Sequence, residues 1–303
     1  MPAKTAPAPA APEVTPTRWG QDRRLEFIDF RLRWEGHLNR GDLKDFFGIS
    51  TPQASLDLAR YTELAPQNLV YDRGARRYVC GADFAPLYSA TGMPSKYLNE
   101  LLAIGTGVLD SSASFLGWQP PLGLMPVPPR QLDIAVVTTL LKAIRERSSV
   151  SAVYQSMSRL EPTERVLSPH AIAHDGFRWH VRAYCALRER FLDFVIARML
   201  SASSLEASGK PPEEDADWQN MVSVVLCPNP ALSKAHQKAV ELDYGMQNGQ
   251  LELQCRQAML FYLVQQLRLD QDGTSRPERC QIVLKNTRAL SVYLGAELVE
   301  TTA

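Results

Sequence analysis

The sequence lacks the marks of a secreted or membrane-spanning protein and of a Ser-His hydrolase. Its five cysteines, Cys80, Cys185, Cys227, Cys255 and Cys280, are odd in number and scattered, so neither a disulfide framework nor a zinc site fits their spacing. They read as packing residues of a protein in a reducing cytoplasm. No apolar run has the length needed to span a bilayer, which argues for a soluble chain with no membrane partner. The Pro- and Ala-rich start, MPAKTAPAPAAPEVTP, has no hydrophobic stretch of a secretory signal, and residues 1–17 read as a disordered tail. Neither charge is in excess: 33 basic residues balance 33 acidic ones. A global electrostatic funnel is thereby excluded, and any nucleic-acid affinity must come from a local patch.

Catalytic and metal-binding patterns are equally scarce. Ser168 lies near His170, but without a nucleophile elbow or an acidic partner the pair makes no hydrolase triad. His170 and His174 are four apart in a strand-like stretch, where they share no helical face, so they are not a metal pair. No cofactor is expected, and the protein does not read as an enzyme.

What is present is concentrated in Gly41 to Tyr78, GDLKDFFGISTPQASLDLARYTELAPQNLVYDRGARRY. Leu43, Phe46 and Phe47 form a short apolar helical face that Gly48 ends. Ser50 then caps a second helix, with Pro52 in its first turn, where a missing N–H costs nothing. Ala54, Leu58 and Tyr61 form the stripe that faces the domain. Ser50, Thr51, Gln53, Ser55 and Arg60 are left for base edges and phosphates. After Pro66, the alternation Leu69, Tyr71 and Tyr78 predicts two strands joined at Asp72-Arg73-Gly74-Ala75, with Arg73, Arg76 and Arg77 placed to reach phosphates. The outline is a winged helix-turn-helix over residues 18–82, packed on a helix predicted at Asp22–Trp34 through Leu25, Ile28 and Leu32. Its alternative is an ordinary helical module with a charged turn.

Residues 83–131 read as a linker with one helix, Ser95–Ala103, and an extended run, QPPLGLMPVPPR, that cannot hold a helix. A helix over Leu132–Arg145 follows. From Ser149 the pattern turns to strands, VSAVYQS, RVLSPHAIAHDGFRWHVRAYC and RFLDFVIARML, the second broken by the hairpin signal His174-Asp175-Gly176. Short strands and tight turns imply a small β-barrel or a curled sheet, closed to hide its edges. Arg178, His180, Arg182 and Tyr184 share one strand face, and Trp179, Val181 and Ala183 the other. Guanidinium, imidazole and phenol together suit a phosphate-bearing ligand, although a solvated strand face has the same pattern.

These residues also carry a family resemblance. Tyr154-x-Ser156, Arg165, Ser168-Pro169-His170, Gly176 through Tyr184 and Arg190-Phe191 through Arg198-Met199 resemble the WYL domain, with Trp179-His180-Val181 standing where the eponymous Trp-Tyr-Leu would be. The resemblance implies an Sm/SH3-like β-barrel over residues 132–207 that senses a nucleotide or nucleic-acid fragment. It implies ligand contacts at Tyr154, Ser156, His170, Arg182, Tyr184, Arg190 and Arg198. The order winged helix, linker, WYL domain and C-terminal extension is similar in particular to the BrxR/CapW regulators of phage-defence operons, with Ser50–Ser55, Asp57-Leu58 and Tyr71-Asp72 resembling that group's recognition helix and wing.

After the acidic, Pro-containing GKPPEEDADW, alternating strands and helices predict a compact α/β unit over residues 208–303. It resembles the C-terminal, WCX-like extension that commonly dimerises WYL regulators. The helix QAMLFYLVQQLRL is apolar on more than one side through Met259, Phe261, Leu263, Val264 and Leu267, as a buried or subunit-facing helix is. The expectation is an α+β multidomain, homodimeric, cytoplasmic repressor that binds double-stranded DNA at an inverted repeat. The competing expectation is a nucleotide-sensing accessory protein that controls an effector enzyme.

Overall fold

The computed structural model describes residues 16–271 and 276–294. The expected tail lies outside them as far as residue 15. The chain divides into two units, Met1–Val127 and Pro128–Ala303.

In the first unit the elements run α1 (Pro16–Glu35), β1 (His37–Leu38), α2 (Arg40–Phe47), α3 (Thr51–Leu64), β2 (Leu69–Asp72), β3 (Arg77–Cys80) and α4 (Pro94–Gly105). α1 is the hub. Its Leu25, Phe27, Ile28, Phe30 and Leu32 are buried against Leu43 of α2 and Ala54, Leu58 and Tyr61 of α3, the stripes that helical spacing predicts. Two local devices fix the α2–α3 turn. Asn39 and Asp42 cap α2 reciprocally, each side chain accepting from the other's backbone N–H. Gly48 ends α2 at φ 64°, where a Cβ would strain the backbone. Ser50 Oγ then accepts from Gln53 N at 3.3 Å to start α3.

A buried polar knot fastens the helices to the following chain. Asp29 of α1 accepts from Tyr61 Oη at 2.5 Å, from the Thr91 hydroxyl and from Leu87 N at 2.9 Å. Every group is satisfied, which is the condition for burying a charge. The strands pair antiparallel in the order β1-β3-β2. β1 was not foreseen, since two residues have no period of their own and become a strand only through β3. Part of the expected linker belongs to this core: Leu101 of α4, Phe115 and Leu116 are buried in it. Residues 119–133 carry no helix or strand, as their prolines require.

The second unit opens with α5 (Ile134–Glu146), whose Val136, Leu140 and Ala143 cover one face of a five-stranded antiparallel sheet. Its strands are β4 (Ser148–Tyr154), β5 (Thr163–His174), β6 (Trp179–Cys185), β7 (Arg190–Val195) and β8 (Met199–Ser208), in the order β7-β6-β5-β4-β8. Among the described residues no ladder joins β7 to β8, so the sheet is open where a closed barrel was expected. The stretch RFLDFVIARML is the reason. It is two strands divided by a 3-10 turn at Ile196–Arg198, and the second crosses to pair with β4. A register shift between Pro169 and Ala171 bulges β5 at His170, next to a proline that has no N–H for the ladder.

The C-terminal part comprises α6 (Ala216–Gln219), β9 (Met221–Pro228), α7 (Lys234–Asp243), β10 (Leu251–Arg256), α8 (Gln257–Gln266), β11 (Ile282–Leu284) and α9 (Thr287–Leu294). Its strands form an antiparallel sheet in the order β10-β9-β11. Val222, Val224 and Leu226 alternate inward from β9 onto Val240, Leu260, Val264 and Leu290 of the helices. Among the described residues no helix is long and apolar enough to cross a membrane.

Candidate functional sites

The first site is built on α3 and the β2–β3 hairpin. With Ala54, Asp57, Leu58 and Tyr61 turned inward, α3 leaves Thr51 and Arg60 exposed and Gln53 and Ser55 half-buried on its flanks. Gln53 Nε2 donates to Asp57 Oδ1 at 3.1 Å, and Ser55 Oγ donates back to Thr51 O at 3.0 Å. Arg60 pairs with Glu63 at 2.9 Å, an exposed contact that water weakens. The most outward positions also include Pro52, Leu56 and Ala59. Sequence reading passed over Leu56, which is 63% exposed. Its one signal was an apolar residue outside the Ala54–Leu58–Tyr61 stripe.

The hairpin tip is organised by Asp72, whose Oδ1 accepts from Gly74 N at 2.8 Å and Ala75 N at 3.0 Å, a side chain imitating a turn. Arg76 takes a left-handed φ of 53°. Arg73, Arg76 and Arg77 are all exposed, and among the described residues none has an acidic partner. Arg40, at the start of α2, adds a further exposed cation and donates to Tyr78 Oη at 3.0 Å. It was missed because only the β1–β3–β2 pairing brings α2's first turn beside the hairpin. The structure therefore gathers four guanidiniums that no carboxylate among the described residues neutralises, on a chain with no net charge.

The residues expected to hold a ligand do not meet in one site, although Asp193 borders both the cavity that some of them line and the network around Arg182. Tyr154, Ser156 and Arg190 line a cavity of about 300 Å³ together with Ser158, Arg165, Arg188, Asp193 and Phe194. Arg165 is 5% exposed, its Nε makes no hydrogen bond, and among the described residues it has no ion pair. It stands opposite Ala152 on β4. A buried guanidinium without a counter-charge is costly, and Arg188 and Arg190 stand exposed beside it. The Asp193 carboxylate in the same wall is held by Arg182 at 3.3 Å, so the three arginines of the lining outweigh it and suit an anion.

His170 and Arg182 belong instead to a closed network. Arg182 Nε and Nη2 donate to Asp215 at 2.7 and 2.9 Å, and His170 Nε2 lies 2.8 Å from the same carboxylate. Burial pushes the Asp215 carboxyl up, but the bonds from Arg182 and His170 outweigh it and hold the group below the usual carboxylate range. Arg182 also meets Asp193 at 3.3 Å, and Tyr262 of α8 donates to Asp193 at 3.2 Å. The polar face of β6 is thus covered by the chain before β9 and by α8. Neither the solvated face nor an open phosphate site describes it at Arg182. Tyr184 packs on Phe191 at 5.3 Å under Lys210. Arg198, half-buried in the 3-10 turn, does not line the cavity. His174 packs on Trp179, 4.5 Å between rings and apart from His170's partners. No group of side chains that could hold a metal occurs among the described residues.

Three stretches of the chain match known families. Residues 20–103 match the BrxR transcriptional regulator winged helix-turn-helix domain, residues 135–204 the WYL domain, and residues 221–290 the BrxR transcriptional regulator C-terminal dimerization domain. The chain is 46% identical over 270 residues to the DNA-binding transcriptional repressor CapW of Pseudomonas aeruginosa, covering 89% of this chain and 90% of that one. It is 44% identical over 280 residues to the DNA-binding transcriptional repressor CapW of Stenotrophomonas maltophilia, covering 91% and 93%. Among solved structures, proteasome accessory factor B/C of Arthrobacter aurescens is 18% identical with a TM-score of 0.28, covering 98% of this chain and 52% of that one.

Proposed function

The chain belongs to the BrxR/CapW family of winged-helix, WYL-domain transcriptional regulators, and on that footing we propose that it is a homodimeric DNA-binding repressor of a phage-defence operon, acting in the cytoplasm. In this reading residues 18–82 bind DNA, 83–131 connect while lending Leu101, Phe115 and Leu116 to that domain's core, 132–207 sense a ligand and 208–303 pair the protomers. One α3 enters the major groove of each half of an inverted repeat, and the hairpin arginines hold the flanking phosphates. The observation that carries the reading is the outward side of α3's first turns, exposed Thr51, Pro52 and Leu56 with half-buried Gln53 and Ser55, beside Arg73, Arg76 and Arg77, which have no acidic partner among the described residues. Selection of bound duplexes from a random pool tests it. The expected product is an inverted repeat with half-sites one helical turn, or a multiple, apart. Enrichment of no sequence at physiological salt overturns it.

Relief of repression is assigned to the cavity lined by Tyr154, Ser156, Arg165, Arg188 and Arg190, filled by a nucleotide or a nucleic-acid fragment. The unpartnered Arg165 supports an anionic ligand. Such a ligand must favour one dimer geometry over the other by about 10⁴-fold to switch it nearly completely. Calorimetry with a 5′-phosphorylated dinucleotide is expected to give binding that Arg165→Ala abolishes and Arg190→Ala weakens. Binding unchanged in Arg165→Ala moves the ligand site elsewhere.

A further inference from the structure

Gln53 does not hang free from α3. Its Nε2 donates to Asp57 Oδ1, one turn along the same helix, at 3.1 Å. Asp57 is fully buried, and Arg24 of α1 holds the same carboxylate with two arms, Nε to Oδ2 at 2.7 Å and Nη2 to Oδ1 at 3.2 Å. A carboxylate paired to a guanidinium only accepts hydrogen bonds. The orientation of the Gln53 amide is therefore dictated, with its nitrogen toward Asp57. One N–H is committed to Asp57, while the carbonyl oxygen and the second N–H make no other bond among the described residues. Those two groups are the acceptor and donor that match N6–H and N7 of adenine in the major groove.

We infer that Arg24 and Asp57 are positioning residues, a brace that presents the Gln53 amide to adenine, so that two side chains that never touch DNA set the base preference at one position of each half-site. This rests on the DNA-binding reading and adds the origin of its specificity. An unbraced glutamine gives up its rotamer freedom when it binds, whereas a braced one has already done so on folding. The charge of Arg24 is spent on Asp57 and so adds little to phosphate attraction. The brace acts on sequence preference and leaves general affinity alone.

The test is selection of bound DNA with the full chain as wild type, Gln53→Ala, Asp57→Asn and the double variant, followed by competition between the selected duplex and its single-base changes. Gln53→Ala is expected to flatten one adenine position in each half-site, with about ten-fold or more loss of discrimination there. Asp57→Asn flattens the same position, the double variant loses nothing further, and the other positions hold. Selection counts only molecules that bind, so a partly folded preparation still reports its preference. If Asp57→Asn captures no duplex, Arg24→Lys, which keeps the charge and loses the fork, is read at the same position. The brace is overturned if Asp57→Asn or Arg24→Lys keeps the preference that Gln53→Ala loses, or lowers all positions alike. It is also overturned if Gln53→Ala changes no position. A wild-type chain that enriches no sequence overturns the DNA-binding reading itself and the brace with it.

Discussion

Replacing Asp215 with alanine is expected to destabilise the second unit by about 3–5 kcal/mol, the cost of removing one partner from a buried ion pair. The loss is large because three things go at once. Arg182, 5% exposed, keeps only the single bond to Asp193 at 3.3 Å and the longer 3.6 Å approach to Asp217. His170 loses its 2.8 Å partner. The helix Ala216–Gln219 loses the side chain that caps it at Trp218 N. Urea unfolding followed by tryptophan fluorescence should show an earlier transition for this unit, and an unchanged midpoint removes Asp215 as the anchor.

The effect also depends on pH. The folded Asp215 carboxyl lies below its ordinary value because Arg182 and His170 outweigh burial. A depressed acid stabilises fully above the unfolded value, near pH 4, and loses that contribution as pH falls through the folded one. Asp175 behaves alike: burial raises it, but His180 and the backbone N–H groups of Phe177 and Arg178 lower it further. Asp193 runs the other way, since burial raises it despite Arg182 and Tyr262, so acid favours its folded form. The difference between wild type and Asp215→Ala should therefore narrow as the pH drops below 4.

Legibility followed the range of the forces. The Gly48 stop, the Ser50 cap and the Ala54–Leu58–Tyr61 stripe were readable because each depends on residues within one or two turns. The same holds for the Asp72 turn. Arg182 and Asp215 are 33 residues apart, and nothing near Asp215 separates an anchor from the acidic linker that GKPPEEDADW resembles. Strand alternation put Arg182 and His180 on one face correctly, but period two cannot say whether that face meets water or α8. His170 reaches Asp215 beside a bulge, and a bulge changes which side chains share a face. Closure of the barrel depends on a single non-local ladder, which no strand pattern specifies. Arg165 was counted among the arginines without its distinguishing property, the lack of a partner, which exists only once the chain is folded.

The hairpin offers the largest expected change in binding. Replacing Arg73, Arg76 and Arg77 together with alanine removes three exposed cations that no carboxylate among the described residues engages. At about 1 kcal/mol for each exposed phosphate contact, the upper end for surface ion pairs, the loss is about 100-fold in affinity. It should fall equally on the selected duplex and on an unrelated one, because phosphates carry no sequence. The slope of log affinity against log salt should become shallower by about one unit per arginine, so fluorescence anisotropy across a salt series separates this outcome from simple misfolding. Stability should not change, since none of the three is buried and the Asp72 turn keeps its backbone bonds. Gln53→Ala is expected to do the reverse, losing the ratio between right and wrong sites while the salt slope stands. If the triple variant instead lost preference and kept its slope, the hairpin would be reading bases, and the division between α3 and the wing would have to be reversed.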